Sequence, residues 1–228
     1  MNKTVVLLSG GLDSTLCLFW AVAQHAKSGE SFGKDGESPV VALAFDYGQT
    51  HDIEVVRSKR IAGWAEVPWE VLYLWEDIHS KLPVPEKPGA VMPARNAMFL
   101  SSAASWASSK FPDDSIRLVV GACQEDHKGF PDCRPAFFRA MQKVFAASEL
   151  RVTISHPFVG LSKGEAVRQT FHDVQEHGWG EVDTLKHCLA MSWSCYDPKD
   201  HLPCGECAAC RFRADGFREA GMEDPAKC

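Results

Sequence analysis

Short apolar runs alternate with amphipathic segments along most of the chain. Five such runs are rich in branched and aliphatic residues, and they lie at 4–8, 40–45, 69–74, 116–121 and 152–155. Runs of this length with little charge are typical of strands that are buried on both faces of a parallel sheet. We therefore predict five strands at these positions.

Between the strands, apolar residues recur at the spacing of a helix. Helices are predicted from residue 12 past residue 23, over 51–65, from 92–96 to about 108, after 134 to about 148, and after Ser162, which is expected to cap its helix. This alternation predicts an α/β fold, an open doubly wound parallel sheet with helices on both faces. We place this domain at 1–190 and a small C-terminal segment, packed on it, at 191–228.

Two polar stretches interrupt the pattern. Residues 27–38 are rich in glycine and charge, which predicts a surface loop that serves as a plain connection. Residues 76–93 are rich in proline, which excludes a regular element. Because loops of this length in compact domains are often functional, we interpret 76–93 as a lid that keeps water out of an active site.

The first strand leads directly into Ser9-Gly10-Gly11 and a predicted helix. Two glycines allow a tight turn and a close approach of a ligand to the backbone. The free N–H groups of the first helical turn favour an anion there, phosphate above all. Asp13, with Ser14 or Thr15, is expected to cap the helix. The turn lacks the Gly-Lys-Ser/Thr of a Walker A loop and does not match Gly-x-Gly-x-x-Gly.

Composition and charge restrict the classes of function. The chain has 228 residues, of which 45% are hydrophobic and 24% charged, and its net charge is -6. This acidic balance argues against a nucleic-acid partner. No run approaches the ~20 apolar residues of a membrane-spanning helix, and the chain begins with a predicted strand rather than a signal peptide. We therefore expect a cytoplasmic protein with no membrane partner.

Four of the nine cysteines lie close together near the C-terminus. They are Cys195, Cys204, Cys207 and Cys210. Thiolates in such tight turns can hold structural zinc or an iron–sulfur cluster. A redox pair is the other reading, but it usually follows a strand in a βαβ unit, which this region lacks. The neighbouring Arg211 and Arg213 either bind phosphate or RNA or belong to a solvated helix face.

Several motifs together resemble a known family. Ser-Gly-Gly-Leu-Asp-Ser-Thr after the first strand resembles the PP-loop of ATP pyrophosphatases, which identifies only a superfamily. The more specific motifs are FDYGQTH, PARN, GFPDCR, LSKGE, WSCY and CGECAACRFRADGF. The set covers nearly the whole chain and resembles the 7-cyano-7-deazaguanine synthase family of queuosine precursor biosynthesis.

This resemblance implies an adenine nucleotide alpha hydrolase-like fold and an ATP-dependent carbon–nitrogen ligase. Such an enzyme activates 7-carboxy-7-deazaguanine as an acyl-adenylate and releases pyrophosphate. Ammonia then displaces AMP to give an amide, which is activated and dehydrated to a nitrile in the same site. The resemblance also implies Mg²⁺ at the phosphates, structural zinc at the four cysteines, and a homodimer.

The resemblance further implies roles for individual residues. The nucleotide-binding turn comprises Leu8, Ser9, Gly10, Gly11, Leu12, Asp13, Ser14 and Thr15. The residues assigned to catalysis are Asp13, Ser14, Arg95 and Lys163, the last two as ligands of phosphate or carboxylate. The residues assigned to the substrate are Tyr47, Gln49, Asp126, Phe130, Asp132 and Arg134. Asp126 and Asp132 are also candidates for binding Mg²⁺ or for plain turn and cap positions.

The chain departs from the family pattern at two places. Ala94 stands where the family often has glycine, and Lys128-Gly129-Phe130 stands where it often has Ser-Gly-Tyr. These departures leave the acid and the acceptor open, so the alternative is a related PP-loop ligase that activates a different acid or transfers a deazaguanine elsewhere. The alternative of another class is a zinc-knuckle binding module on an inactive nucleotide fold.

Cys133 is either a nucleophile or a packed cysteine, and the acyl-adenylate mechanism needs no thioester.

Overall fold

The computed structural model describes residues 2–29, 38–48, 53–74, 92–177, 182–200 and 202–226. Residues 76–91 of the predicted lid and 30–37 of the loop predicted at 27–38 lie outside the described residues, as do Gln49 and His51. Their predicted roles stay predictions.

The sheet has five parallel strands in the order β3-β2-β1-β4-β5. The strands are β1 Asn2–Leu7, β2 Val40–Asp46, β3 Trp69–Tyr73, β4 Ser115–Val119 and β5 Val152–Ser155. All five predicted strands are confirmed, since branched apolar runs suit a sheet that is covered on both faces.

Eight helices connect and cover these strands in the described part of the chain. They are α1 Leu12–Lys27, α2 Ile53–Trp64, α3 Arg95–Lys110, α4 Asp126–Gly129, α5 Pro135–Ala147, α6 Lys163–His177, α7 Val182–Met191 and α8 Ala208–Ala220. The sequence pattern did not predict α8, apart from the possible helix face at Arg211 and Arg213. It also did not predict α4 and α7, because α4 is a single turn and α7 is only ten residues long. Helices this short carry too little periodicity to be recognised.

Two apolar cores lie on opposite faces of the sheet, as the fold class predicts. One is formed by side chains from α1, α2, α6, α7 and α8, with Phe19, Phe158 and Phe217 fully buried. The other is formed by α3 and α5, with Leu100 and Phe138 at its centre. Helix α8, in the predicted C-terminal segment, packs against α6. The division into domains at residue 190 stays a prediction.

Candidate active site

The strand order places a crevice at the centre of the sheet. Strands β1 and β4 are neighbours, although the chain leaves β1 for β2 and reaches β4 only after β3 and α3. Ligands in open parallel sheets bind at the carboxyl ends of strands beside such a switch point. The turn Ser9-Gly10-Gly11 and the segment after β4 meet at this place.

Gly10 and Gly121 allow the close packing of this turn. Gly10 has a φ of +83°, and a Cβ atom there would lie 2.6 Å from the carbonyl oxygen of Glu54 in α2. A Cβ atom on Gly121 would lie 2.8 Å from the carbonyl carbon of Asp13. No larger residue fits at either position without moving backbone, so the two glycines bring α2 and the end of β4 directly against the start of α1.

The predicted cap of α1 is wrong. The helix begins at Leu12 with Gly11 as its N-cap, and no side chain accepts a hydrogen bond from its first turn. Ser14 and Thr15 lie inside that turn, and their hydroxyl groups donate to the carbonyl oxygen of Gly11, over 3.1 and 2.8 Å. No side-chain cap therefore competes for the N–H groups that an anion would use.

Lys163 lies at the centre of a cluster of charges beside this turn. Its Nζ atom lies 2.6 Å from Asp13 Oδ2 and 3.5 Å from Asp126 Oδ2, and its side chain is only 8% exposed. The Cys123 thiol donates to Asp13 Oδ1 over 3.5 Å, and the Cys123 N–H donates to Asp126 Oδ2 over 2.9 Å. The structure thus brings together three residues that the sequence proposed separately, and it adds Cys123.

The start of α6 is held in place by several hydrogen bonds. Ser162 Oγ accepts from the N–H of Glu165, and Glu165 Oε2 accepts from the N–H of Ser162, at 3.1 and 2.8 Å. The predicted cap at Ser162 is confirmed, and its reciprocal bond with Glu165 makes it a capping box. The backbone N–H of Lys163 donates to Glu125 Oε1 over 3.0 Å. These contacts fix the backbone at the start of α6, so that the Lys163 side chain stays directed at the glycine turn.

The cluster shifts the pKa values of its members. Burial alone would lower the pKa of Lys163, but Asp13, together with Cys123 and Asp126, raises it well above its ordinary value. Burial raises the pKa of Asp126, and the Asp13 carboxylate adds to that shift while Lys163 opposes it. Burial likewise raises the pKa of the Cys123 thiol far above its usual range, with a further contribution from Asp13. Lys163 is therefore a fixed cation and Cys123 a neutral thiol at neutral pH.

A second group of side chains surrounds Arg95 at the start of α3. Arg95 hydrogen-bonds to the hydroxyl group of Tyr47, and its guanidinium lies 6.0 Å from the centre of the Phe99 ring. Burial raises the pKa of Glu54 to about 7, although the charge of Arg95 lowers it. Burial also raises the pKa of Tyr196 to about 12. The charges of Arg95 and Lys163 lower this pKa, whereas the carboxylates of Asp126 and Asp13 raise it. Arg95 and Tyr47 thus lie together, and their predicted roles toward phosphate, carboxylate and substrate stay predictions.

The remaining predicted substrate residues lie around the start of α3 and α5. Asp132 Oδ2 accepts from the N–H of Asn96 over 3.1 Å, so this carboxylate acts as a cap for α3. Cys133 Sγ accepts a hydrogen bond from the side-chain amide of Asn96 over 3.4 Å, and burial raises its pKa to about 12. Arg134 donates to the carbonyl oxygen of His127 over 2.9 Å. A neutral, hydrogen-bonded Cys133 resembles a packed residue more than a nucleophile.

Asp13 and Asp126 offer the oxygen ligands that Mg²⁺ prefers. Their carboxylate oxygens and the Cys123 sulfur all lie within 4.8 Å of one another. Mg²⁺ commonly takes one or two carboxylates together with water and substrate phosphates. The two carboxylates supply oxygen ligands for such a site, although Mg²⁺ would share them with the Lys163 ammonium, which lies 2.6 and 3.5 Å from one oxygen of each. A neutral thiol is a poor ligand for a hard cation.

The four C-terminal cysteines form one compact cluster. The sulfur atoms of Cys195, Cys204, Cys207 and Cys210 all lie within 4.8 Å of one another. Tetrahedral zinc with Zn–S bonds of ~2.3 Å needs sulfurs that are separated by ~3.8 Å, and the Cys195–Cys204 separation is 3.5 Å. Backbone N–H groups of the second, third and fourth cysteines donate to sulfurs at 3.2, 3.3 and 3.5 Å. The cluster could therefore hold a zinc ion.

Arg213 is neither a solvated residue nor a free phosphate ligand. Its guanidinium is buried and pairs with Asp224 through two hydrogen bonds of 2.7 and 2.9 Å. It also donates to Ser192 Oγ and to the carbonyl oxygen of Leu189. Both readings from the sequence are wrong for this residue, because its donors are used to hold the chain that leads into the cysteine cluster. Arg211 remains exposed and donates to the carbonyl oxygen of Glu206.

Sequence reasoning missed several side chains of this site. Cys123 and Glu125 follow β4 at the switch point, and this position alone was a signal for them. Tyr196 follows the first cysteine of the cluster within the WSCY motif, whereas Asn96 lies within PARN.

No helix in the described residues is long and apolar enough to cross a membrane.

Comparisons with known proteins show the family to which this chain belongs. The family model of the queuosine biosynthesis protein QueC matches residues 3–221. Similar curated proteins named 7-cyano-7-deazaguanine synthase include that of Leptospira interrogans, which is 34% identical over 98% of this chain and 89% of the relative. The protein of Chromobacterium violaceum is 34% identical over 98% and 92%, and that of Oceanobacillus iheyensis is 32% identical over 99% and 98%.

Proposed function

Because this chain belongs to the family of the queuosine biosynthesis protein QueC and is thus an enzyme of that pathway, we propose that it converts 7-carboxy-7-deazaguanine and ammonia to 7-cyano-7-deazaguanine with ATP. A carboxylate oxygen attacks the α-phosphorus of ATP, and pyrophosphate leaves. Ammonia attacks the carbonyl carbon, loses a proton and expels AMP to give the amide. The amide oxygen attacks the α-phosphorus of a second ATP in the same way, pyrophosphate leaves, and loss of AMP and of both N–H protons leaves the nitrile.

The observation that carries this proposal is the position of the Asp13–Lys163–Asp126 cluster beside the glycine turn. The turn presents uncapped N–H groups to the phosphates of ATP, and Lys163 supplies a fixed positive charge. Negative charge grows on the departing pyrophosphate, so preorganised donors and cations at that point lower the barrier. The raised pKa of Lys163 suits this electrostatic role rather than proton transfer near neutral pH.

Mg²⁺ and zinc are also part of the proposal. Asp13 and Asp126 would hold Mg²⁺, which would neutralise phosphate charge when bound. The four cysteines would hold zinc, which leaves no open position, so that its role is structural. ATP and reduced thiolates point to a cytoplasmic enzyme, and the net charge of -6 argues against a nucleic-acid partner. A homodimer is the expected assembly.

Arg95 and its neighbours are proposed to bind the acid. Arg95 pairs naturally with a planar carboxylate, and its contact with Tyr47 orients the guanidinium. Phe130, Arg134 and the carboxylates of Asp126 and Asp132 belong to the segment between β4 and α5 and are proposed to contact the deazaguanine ring. Asp132 would do so only with the oxygen that does not accept from Asn96.

A product assay by mass spectrometry tests this proposal. Purified protein is mixed with Mg-ATP, ammonium and 7-carboxy-7-deazaguanine, and nitrile and AMP are measured. Both products are expected, and Asp13→Ala abolishes both. AMP without nitrile would retain the adenylating chemistry and move the acceptor elsewhere. The absence of both would favour the binding module.

A further inference from the structure

The segment 192–196 touches both the glycine turn and the cysteine cluster. We propose that Trp193 within it is a positioning residue, which couples metal binding at the four cysteines to nucleotide binding at the turn. This inference rests on the proposed function, because it takes Ser9-Gly10-Gly11 as the ATP site.

The backbone of Trp193 lies against both glycines of the turn. Its N–H donates to the carbonyl oxygen of Gly10 over 2.8 Å. Its own carbonyl oxygen lies 3.3 Å from the place where a Cβ atom on Gly11 would be. Any shift of residue 193 therefore moves the peptide groups that lead into the first turn of α1.

The indole ring of Trp193 belongs to the cysteine cluster. Its Nε1–H donates to the carbonyl oxygen of Cys195 over 2.9 Å. Trp193, Cys195 and Cys210 are buried together as one apolar group, with Ile53 packed against it. The ring thus holds the backbone of 193–195 in one arrangement relative to the first metal ligand.

Helix α2 packs against both Trp193 and Gly10. The Arg57 guanidinium lies 5.0 Å from the centre of the Trp193 ring, and its Nη1 donates to the carbonyl oxygen of Met191 over 2.6 Å. The same helix meets Gly10, where a Cβ atom would lie 3.0 Å from the Ser58 nitrogen and 3.3 Å from Arg57 Cβ. Gly10 is therefore held between α2 and residue 193. Because these contacts are close-packed, the backbone of Gly10 cannot move without moving α2 or residue 193.

These contacts form one continuous path from a metal ligand to the phosphate site. Loss of the metal frees Cys195, the restraint on the Trp193 ring loosens, and the hydrogen bond to Gly10 weakens. Since coupling between two binding sites is reciprocal, ATP must strengthen zinc binding by the same factor by which zinc strengthens ATP binding. Coupling of this kind typically amounts to about 5–150-fold in affinity.

Calorimetry on zinc-loaded and chelator-stripped protein tests the coupling. The dissociation constant for ATP with Mg²⁺ is measured in both forms, and zinc affinity is measured by chelator competition with and without ATP. We expect stripped wild-type protein to bind ATP at least fivefold more weakly, and ATP to raise zinc affinity by the same factor.

Three variants locate the path. Trp193→Phe keeps a ring beside Arg57 but loses the hydrogen bond to Cys195, so the coupling factor should fall about two- to tenfold. Trp193→Ala should abolish it, and if this variant does not fold, Trp193→Phe decides. Trp106→Phe is the control, since Trp106 packs on Phe111 against the other face of the sheet, and its coupling should equal that of the wild type.

Two results would overturn the inference alone. One is equal ATP affinity in loaded and stripped wild-type protein. The other is an unchanged coupling factor in the folded Trp193 variants. Failure of zinc-loaded wild-type protein to bind ATP is a different result, because it overturns the proposed function and the inference together.

Discussion

Two lysine–carboxylate pairs lie at opposite ends of the sheet. At the carboxyl ends of the strands, the side chains of Lys163 and Asp13 are 8% and 24% exposed. At the amino ends, those of Lys110 and Glu70 are 39% and 44% exposed. A groove of about 430 Å³ lies beside the second pair, yet the candidate site lies at the first.

The direction of the chain, rather than the volume of the groove, explains why the candidate site lies at the carboxyl ends of the strands. In a parallel sheet with helical crossovers, helix N-termini converge on the carboxyl ends of the strands and helix C-termini on the amino ends. The first end therefore offers N–H groups and positive dipoles, and the second offers carbonyl groups. An acid-activating ATP site needs the first arrangement.

Removal of the two lysines should show the largest contrast. Lys163→Met leaves Asp13 and Asp126 facing each other without a cation, so we expect the free energy of unfolding to fall by about 3 kcal/mol. The turnover number should fall by roughly 10²- to 10³-fold, because the fixed charge is lost. Urea unfolding and the product assay measure the two effects.

Lys110→Met is the matched control for that change. Its pair is exposed, so the loss should be about 1 kcal/mol or less, and activity should be unchanged. Equal losses of activity in the two variants would contradict the assignment of the site to the carboxyl ends.

Glu54, which lies at the carboxyl ends of the strands, should make the stability of the protein depend on pH. Burial raises the pKa of this carboxyl from 4.5 to about 7, so the folded protein keeps a proton that the unfolded chain releases. The free energy of unfolding should therefore fall as the pH rises through this window, by on the order of 3 kcal/mol. Unfolding curves at several pH values should lose the Glu54 part of this slope in Glu54→Gln, while the raised pKa of Asp126 leaves a part of the same sign; Glu70→Gln should keep the full slope.

Gly121 tests the close contact between β4 and α1. In Gly121→Ala, the new methyl group would lie 2.8 Å from Asp13, so the start of α1 must move. We expect a loss of about 1–3 kcal/mol and weaker ATP binding in calorimetry. Gly160→Ala is the control, because its methyl group meets nothing within 4 Å; ATP binding that weakens equally in both would contradict the packing argument.

Ala94 should give the smallest effect. It precedes α3 with a φ of 59°, whereas Glu149 at the amino end of β5 has a φ of 57°. Glycine at either position removes left-handed strain, so both Ala94→Gly and Glu149→Gly should stabilise by about 1 kcal/mol in thermal unfolding. Because Ala94 adjoins Arg95, the KM for the acid should change in Ala94→Gly alone. A change in both would contradict this.

Much of the fold could be predicted from local pattern. The apolar runs and the glycine turn reflect interactions between near neighbours in sequence, and so does the spacing of the last three cysteines. The partners of Lys163 could not be predicted, because Asp13 is 150 positions away and only the packing of α6 on α1 brings them together. Arg213 was misread because its partners Asp224, Ser192 and Leu189 meet it only when α8 packs against the chain on either side of it.

Transfer of an isotope tests the central claim most directly, namely that the acid attacks the α-phosphorus of ATP at this turn. 7-Carboxy-7-deazaguanine labelled with ¹⁸O in its carboxylate is turned over with ATP and ammonia, and the phosphate products are weighed by mass spectrometry. The account predicts ¹⁸O in AMP and none in pyrophosphate or inorganic phosphate. Label in inorganic phosphate, which would show attack at the γ-phosphorus, would contradict it.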